Sequence, residues 1–224
     1  MKNLSEINKR TTQYYDEISA KYADLFKDEI RKKEYDRNLL DRFAENFRKT
    51  SLLCDAGCGA AGQIGRYLFD KGLNVCGIDI SELSIKTSKA LNPMMTFQIM
   101  DMTNLSFEDN LLDGIVAFYS IIHIPKIYIG KVFSEFNRVL KDGGRLFLAV
   151  HKGESERIIE EALGVSTSLH MSYFSEAEVI QYLTNGNFSF EFIETREPYD
   201  FEVQTQRIYV QAVKKEKRLK TQNK

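Results

Sequence analysis

The sequence predicts an α/β fold, in which a mostly parallel sheet is doubly wound, with helices on both faces. Strand-like apolar runs and helical periodicities alternate from residue 51 to residue 150. Alternation of this kind places successive strands side by side and parallel, with the helices packed over them. The runs at 114–118 and 146–150 are apolar without interruption, as expected for strands that are buried on both faces.

Two amphipathic helices are predicted before the first strand. Residues 5–27 place Tyr15, Ile18 and Tyr22 at helical spacing, and residues 32–48 repeat the pattern with four aromatic or aliphatic side chains. These residues form the N-terminal helical addition to the fold.

The rest of the chain supplies seven strand candidates and four helices. The last two strands alternate in polarity, as an antiparallel pair would, which predicts an antiparallel strand at the C-terminal end of the sheet. Ser81 is a candidate N-cap, and Ser175 with Glu178 forms a capping box. The predicted strands are 51–56, 74–80, 95–101, 111–122, 145–150, 188–194 and 207–214, and the helices are 62–72, 82–91, 126–141 and 175–186.

Composition excludes several classes of function. The chain has 224 residues, 43% of them apolar, with a formal net charge of −1. This balance does not favour nucleic acid or an anionic membrane as a partner, and no apolar run approaches the ~20 residues that span a bilayer. The N-terminus lacks the apolar core of a signal peptide. We expect a soluble cytoplasmic protein with reduced cysteines and a small-molecule partner; its oligomeric state, monomer or homodimer, stays open.

The segment "CDAGCGAAGQIG" is the most informative part of the sequence. Gly57, Gly59 and Gly62 follow the order G-x-G-x-x-G between a strand and a helix, the context of a nucleotide-binding loop. In a doubly wound sheet this loop lies at the carboxyl ends of the strands, where ligands bind. Asp79 ends the next strand, 22 positions after Gly57, where an acid can accept both ribose hydroxyls.

Asp55 distinguishes among the possible adenosine cofactors. A carboxylate facing a pyrophosphate at ~4 Å would cost roughly 1–4 kcal/mol, whereas it would favour a cation. S-adenosylmethionine carries an ammonium and a sulfonium and no phosphate, so this loop suits it better than NAD or FAD. The alternative is that Asp55 only caps the turn.

Five motifs, in order, resemble those of class I S-adenosylmethionine-dependent methyltransferases of the small-molecule type. They are "CDAGCGAAG", with the last glycine displaced to Gly62, "GIDIS", "MDMTNLSF", "DGIVAFYSIIHIP" and "LKDGGRLFLAV". The N-terminal "YYDEISAKYADLF" is similar to the lid helix of such proteins, although core packing explains its tyrosines equally well. The cofactor contacts that the resemblance implies are Tyr15, Tyr22, Asp55, Gly57, Gly59, Asp79, Ile80, Asp101, Met102, Phe118 and Tyr119.

The resemblance also implies a Rossmann-like seven-stranded domain over residues 1–214. Within it, 1–50 would be a helical lid, 51–150 the cofactor-binding core and 151–174 the cover of the acceptor. Residues 215–224 would be a basic, frayed tail.

The implied reaction is methyl transfer from S-adenosylmethionine to an unidentified small molecule. Candidate bases are His123, Tyr119 and His151, with Glu154 placed to orient His151, and His170 in the acceptor cover. Each histidine has a purely structural alternative, and the spacing of the three argues against a metal site. Two other functions stay open: a non-catalytic S-adenosylmethionine-binding sensor or regulator, and an NAD-dependent oxidoreductase.

Overall fold

A seven-stranded sheet forms the centre of the computed structural model, which describes residues 3–216. The strand order is β3-β2-β1-β4-β5-β9-β8, and only β9 runs antiparallel to its neighbours. The predicted fold class is therefore confirmed. The strands are β1 (Leu52–Ala56), β2 (Asn74–Asp79), β3 (Thr96–Ile99), β4 (Leu112–Phe118), β5 (Leu140–His151), β6 (Glu156–Ala162), β7 (Val165–Ser172), β8 (Phe188–Arg196) and β9 (Arg207–Lys214), of which β6 and β7 form a separate sheet.

Helices cover both faces of the sheet and enclose two apolar layers. Ile129, Phe133 and Phe136 of α5 pack in one layer, and Leu40 and Phe43 of α2 pack in the other. The helices are α1 (Leu4–Phe26), α2 (Glu34–Ala44), α3 (Gln63–Asp70), α4 (Glu82–Leu91), α5 (Lys126–Val139) and α6 (Glu176–Asn185). None of the helices within residues 3–216 is long and apolar enough to cross a membrane.

Two predicted strands are shorter in the structure. The prediction 95–101 becomes Thr96–Ile99, and the prediction 111–122 becomes Leu112–Phe118. Met100 after β3 and Tyr119 after β4 line a cleft, whereas Ile121 and Ile122 pack in the apolar core. Periodicity does not distinguish these residues from the strand, because both environments are apolar.

The second predicted helix, 32–48, is broken at Lys33. A 3-10 turn, Glu29–Lys32, precedes it, and α2 begins only at Glu34. Lys33 has a non-helical backbone, and its ammonium lies 2.8 Å from Glu202, in the segment before β9. The break therefore turns a lysine inward that a continuous helix would place on its polar face.

The fifth strand begins at Leu140 rather than at residue 145. Leu140 pairs with Leu112, and the register shifts before Gly114. The helix predicted over 126–141 ends at Val139, before the "KDGG" segment, which is part of the strand and has Gly143 at φ +74°.

Residues 151–174, which were predicted to cover the acceptor, contain a β-hairpin that was not predicted. Strands β6 and β7 pair antiparallel, and Leu163 and Gly164 connect them with φ values of 49° and 72°. Two positive φ values are typical of the tight hairpin turn whose twist matches the strands. The hairpin packs against α1, where Lys21 donates to the Leu163 carbonyl.

The predicted tail, 215–224, lies mostly outside the described residues, which end at 216. Its prediction as a frayed segment is therefore not addressed by the structure.

Candidate active site

A cleft of about 670 Å³ opens at the carboxyl ends of β1, β2 and β4. All the predicted cofactor contacts except Asp55 line it. The lining residues are Asn8, Thr11, Tyr15, Tyr22, Gly57, Gly59, Asp79, Ile80, Met100, Asp101, Met102, Phe118, Tyr119, Ser120, His123 and Ile124.

The glycine loop forms one wall of the cleft. Gly57 has φ +77°, and a Cβ there would lie 2.2 Å from that of Ser120, so only glycine fits. Gly59 also has positive φ, and its amide donates to Asp79 Oδ2 at 2.9 Å. Gly62 lies outside the cleft, as the left-handed residue that begins α3 beside Phe97. The first two glycines line the ligand site, and the third shapes the turn.

Asp79 presents a carboxyl group to the cleft from the end of β2. Its Oδ1 accepts from the Ser81 amide and its Oδ2 from the Gly59 amide, both at 2.9 Å. Burial nevertheless raises the pKa of Asp79. The two amides fix the carboxyl group beside Ile80, as a ribose-binding acid requires.

Asp55 lies behind the loop rather than in the cleft. It is 2% exposed, and its Oδ2 accepts from the Gly65 amide in the first turn of α3 at 2.8 Å. Burial and the nearby Asp79 raise the pKa of Asp55 to about 7. The contact supports the alternative in which Asp55 holds the turn. Selection of a cation by its charge stays a prediction.

Asp101 connects the cleft to α1. Its Oδ2 accepts from Asn8 Nδ2 at 2.8 Å, and its Oδ1 accepts from the amide and the hydroxyl of Thr103. Asp101 and Met102 therefore line the cleft beneath α1, and the Met102 side chain reaches the glycine loop, with Cε 3.3 Å from the place a Cβ would take at Gly57.

Tyr119 lies at the end of β4 in a strained conformation. Its φ is +51°, which is rare for a residue with a bulky side chain. Its amide donates to the Ala149 carbonyl at 2.8 Å, which holds it beside β5. Strain retained at a ligand-facing position is common at functional sites.

His123 lies in the cleft with both ring nitrogens occupied. Nδ1 is 2.9 Å from the carbonyl oxygen of His170, which can only accept, so Nδ1 carries the proton. Nε2 therefore accepts from the Tyr15 hydroxyl, at 2.7 Å. Burial lowers the pKa of His123 to about 4. The neutral imidazole positions Tyr15, and its role as a base stays a prediction.

His151 and His170 do not line the cleft. The His151 ring stacks on Tyr119 and its Nδ1 contacts the Thr205 hydroxyl at 2.7 Å. The predicted partner Glu154 is therefore wrong; Thr205, 54 positions away in sequence, orients the ring. Within residues 3–216, no group of three or more histidine, cysteine or acidic side chains has the geometry of a metal site.

A second cavity, of about 540 Å³, adjoins the cleft. The two share Tyr22, Gly57, Phe118 and Tyr119 as common walls. The other lining residues of the second cavity are Glu29, Ile30, Lys33, Asp36, Asp55, Cys58, Ala61, Gln63 and Ile64.

The polar residues of the second cavity were not predicted from the sequence. Glu29, Lys33 and Asp36 lie in a charged amphipathic segment, where such side chains usually face solvent. The inward orientation of Lys33 and Asp36 depends on partners more than 150 residues away, so no local pattern could have revealed it. Glu29 has nearer partners, Lys33 and Gln63. Lys33 bonds Glu202 at 2.8 Å, and Arg196 lies 3.1 Å from Asp36.

Comparison with known proteins agrees with this architecture. Residues 54–148 match the family model of the methyltransferase domain. A sterol 24-C-methyltransferase of Gibberella zeae is 30% identical over 96 residues, which cover 40% of this chain and 25% of that protein. Alignments with the first curated relatives span only 25% to 52% of their lengths.

Solved structures share the fold over most of the chain. A SAM-dependent methyltransferase from Methanosarcina mazei gives a TM-score of 0.70 at 20% identity, covering 76% of this chain and 95% of that chain. Magnesium protoporphyrin IX methyltransferase from Synechocystis PCC 6803, solved with bound SAM, gives 0.60 at 20% identity, covering 80% and 79%. Residues 54–148 thus match the methyltransferase domain, and the fold of the chain is the one that SAM-dependent methyltransferases of known structure share.

Proposed function

We propose that this protein transfers a methyl group from S-adenosylmethionine, bound in the cleft, to a small organic molecule bound in the second cavity. The observation that carries the proposal is the shared wall of Tyr22, Gly57, Phe118 and Tyr119. A cofactor in the cleft would meet an acceptor in the second cavity at this wall. Bound there, the cofactor supplies an activated methyl group on a sulfonium that leaves as a neutral thioether.

The residues present fit this cofactor. Asp79 is positioned for the ribose, Ile80 and Met102 supply apolar contact for an adenine, and Asp101 marks that end of the cleft. Gly57 allows a ligand to approach the backbone closely. Tyr15 and Tyr22, which belong to α1, line the cleft on the side that this helix covers. The main task of these groups is alignment of the two reactants and exclusion of water.

The methyltransferase-domain match, rather than the charge of the site, supports S-adenosylmethionine over NAD. Asp79 would bind the ribose of either cofactor. Asp55 is held by the Gly65 amide behind the glycine loop, so its charge does not distinguish the two cofactors.

The second cavity favours a modest, partly polar acceptor. It is lined by the charged residues Glu29, Lys33 and Asp36 together with the ring of Tyr119. Relatives with other printed substrates, among them tocopherol and demethylmenaquinone, support a small-molecule acceptor in general but not those molecules in particular.

The test measures binding and turnover separately. Calorimetry with S-adenosylmethionine, S-adenosylhomocysteine and NADH should give heat with the first two and none with NADH; NADH binding alone would overturn the proposal. Release of S-adenosylhomocysteine is then followed with a panel of phenols, carboxylic acids and amines. Cofactor binding with no turnover across the panel would favour a sensor or regulatory protein instead.

A further inference from the structure

Two tyrosine hydroxyls connect the wall between the two cavities to a buried carboxyl group. Tyr119 lines both cavities, and its hydroxyl lies 2.9 Å from the Tyr209 hydroxyl. The Tyr209 hydroxyl in turn donates to Asp36 Oδ1 at 2.8 Å. Tyr209 is completely buried and Asp36 is 1% exposed.

The direction of these hydrogen bonds follows from the partners. Arg196 Nη2 donates to the Tyr209 oxygen at 2.8 Å, and a guanidinium can only donate. The single proton of Tyr209 is committed to Asp36, so Tyr119 donates to the Tyr209 oxygen. The Tyr119 oxygen therefore offers lone pairs, and no proton, to any further partner.

We propose that Tyr119, Tyr209 and Asp36 form a relay that removes the proton released when the acceptor is methylated, an inference that rests on the proposed function. As the bond from the acceptor atom to the methyl carbon forms, the carbon–sulfur bond breaks and its electron pair stays on sulfur. The acceptor's proton moves to the Tyr119 oxygen, the Tyr119 proton moves to Tyr209, and the Tyr209 proton moves to Asp36. The acceptor must then carry an O–H or an N–H group.

The surroundings of Asp36 allow it to hold a proton. Burial raises the pKa of Asp36, despite the neighbouring Arg196. The pKa of Glu202 shifts in the other direction. Burial opposes its ionisation, but hydrogen bonds from Arg196 and Lys33 outweigh burial and lower the pKa to about 2. Arg196 Nη1 lies 2.9 Å from Glu202, so the guanidinium keeps a carboxylate partner when Asp36 is protonated. Two nearby carboxyl groups with divergent pKa values are a pattern of acid–base sites.

The relay passes its protons together rather than one at a time. Burial raises the pKa of both Tyr119 and Tyr209, so neither phenol ionises by itself. Each hydroxyl must gain one proton as it loses another, which the short contacts permit.

The competing base in the cleft is less suitable. His123 would have to become an imidazolium in a fully buried place, and its pKa lies near 4. Its partners are a backbone carbonyl and a phenol, neither of which carries a negative charge to stabilise the cation.

Charged and titratable groups from several elements surround Asp36, and each affects its titration. They are Lys33, which precedes α2, Arg196 of β8, Glu202 of the 197–206 segment and Tyr209 of β9. A variant that tests the relay must leave these charges unchanged, which Tyr209→Phe does.

The experiment is carbon-13 NMR of the full chain, labelled at aspartate Cγ and tyrosine Cζ, titrated with and without S-adenosylhomocysteine. The Tyr119 Cζ resonance should shift with the same midpoint as Asp36 Cγ. Tyr209→Phe should abolish this response, and Tyr35→Phe should preserve it. Tyr35 is the matched control because its ring contacts Tyr209 while its hydroxyl donates to Glu194.

The outcomes separate the relay from the proposed function. The relay is overturned if the Tyr119 Cζ resonance does not shift with the titration of Asp36, or if it still does so in Tyr209→Phe. The proposed function is unaffected by either result as long as S-adenosylhomocysteine still binds. Failure to bind S-adenosylhomocysteine overturns the proposed function, and the relay falls with it. If Tyr209→Phe does not fold, Asp36→Asn replaces it: the pH response of Tyr119 should then disappear, and its persistence overturns the relay.

Discussion

Asp55 and Asp79 are carboxyl groups on neighbouring strands, and each is held by backbone amides. Gly65 donates to Asp55, and Gly59 and Ser81 donate to Asp79. These bonds fix their orientation, yet burial still raises both pKa values. The sequence located both residues correctly at strand ends, but it could not show that Asp55 faces α3, because that depends on how the helix docks.

Loss of the Asp79 carboxyl group should weaken cofactor binding. We expect Asp79→Ala to reduce S-adenosylmethionine affinity by roughly 1–3 kcal/mol, because hydrogen bonds to a buried ligand are removed. Calorimetry measures the change. Asp70→Ala is the control, since Asp70 is exposed and pairs with Arg66 on the surface. Equal affinity for the two variants would contradict the assignment of Asp79.

The raised pKa of Asp55 predicts a pH effect on stability. The folded pKa of about 7 exceeds the ordinary 3.8, so this group stabilises the fold at low pH. Its contribution is lost as pH rises toward 7. Between pH 5.5 and 7.5 the loss amounts to about 2 kcal/mol by proton linkage.

Urea unfolding of the ligand-free protein at those two pH values tests this effect. From pH 5.5 to pH 7.5 the free energy of unfolding of the natural protein should fall by about 2 kcal/mol relative to that of Asp55→Asn. The comparison between the two proteins is needed because His123 and His151, with lowered pKa values, act in the opposite direction. An identical pH dependence would show that Asp55 is ionised in both states.

At the scale of elements, α1 covers the cleft and is held from three sides. Asn8 bonds Asp101, Ser19 bonds the Thr87 hydroxyl and the Leu83 carbonyl of α4, and Lys21 bonds the hairpin. The helix itself was predictable from its apolar spacing. The hairpin was not, since β6 carries consecutive charged residues and its turn is Leu-Gly, a weak hairpin signal.

Cofactor binding should protect α1 and β7 from amide exchange. Contacts from Tyr15 and Tyr22 to a bound ligand would slow local opening of both elements. Hydrogen exchange with and without S-adenosylhomocysteine measures the effect peptide by peptide. Helix α6, none of whose residues line the cleft, provides the internal control. Uniform protection of all helices would indicate global stabilisation without contacts from α1.

At the scale of the whole molecule, buried ion pairs connect the two ends of the chain. Lys33 comes from the N-terminal helices, and Arg196, Glu202 and Arg207 come from the last strands and the segment between them. The alternation of strands and helices was sufficient to predict the sheet. It could not predict this cluster, because its members are far apart in sequence and each resembles an ordinary surface charge.

Removal of Glu202 should destabilise the protein strongly. Glu202→Gln leaves three buried cations without a common partner, and breaking a buried pair typically costs about 3–5 kcal/mol. Chemical unfolding measures the loss. Glu197→Gln, an exposed change in the same segment, should have little effect. If both variants unfolded at the same denaturant concentration, the cluster would contribute nothing to stability.

The location of the cleft beneath α1 has a kinetic consequence. Because Tyr15 and Tyr22 close one side of it, a molecule as large as the cofactor must wait for the helix to lift before it enters or leaves. We therefore expect the dissociation of S-adenosylhomocysteine, rather than the displacement at carbon, to limit the steady-state rate.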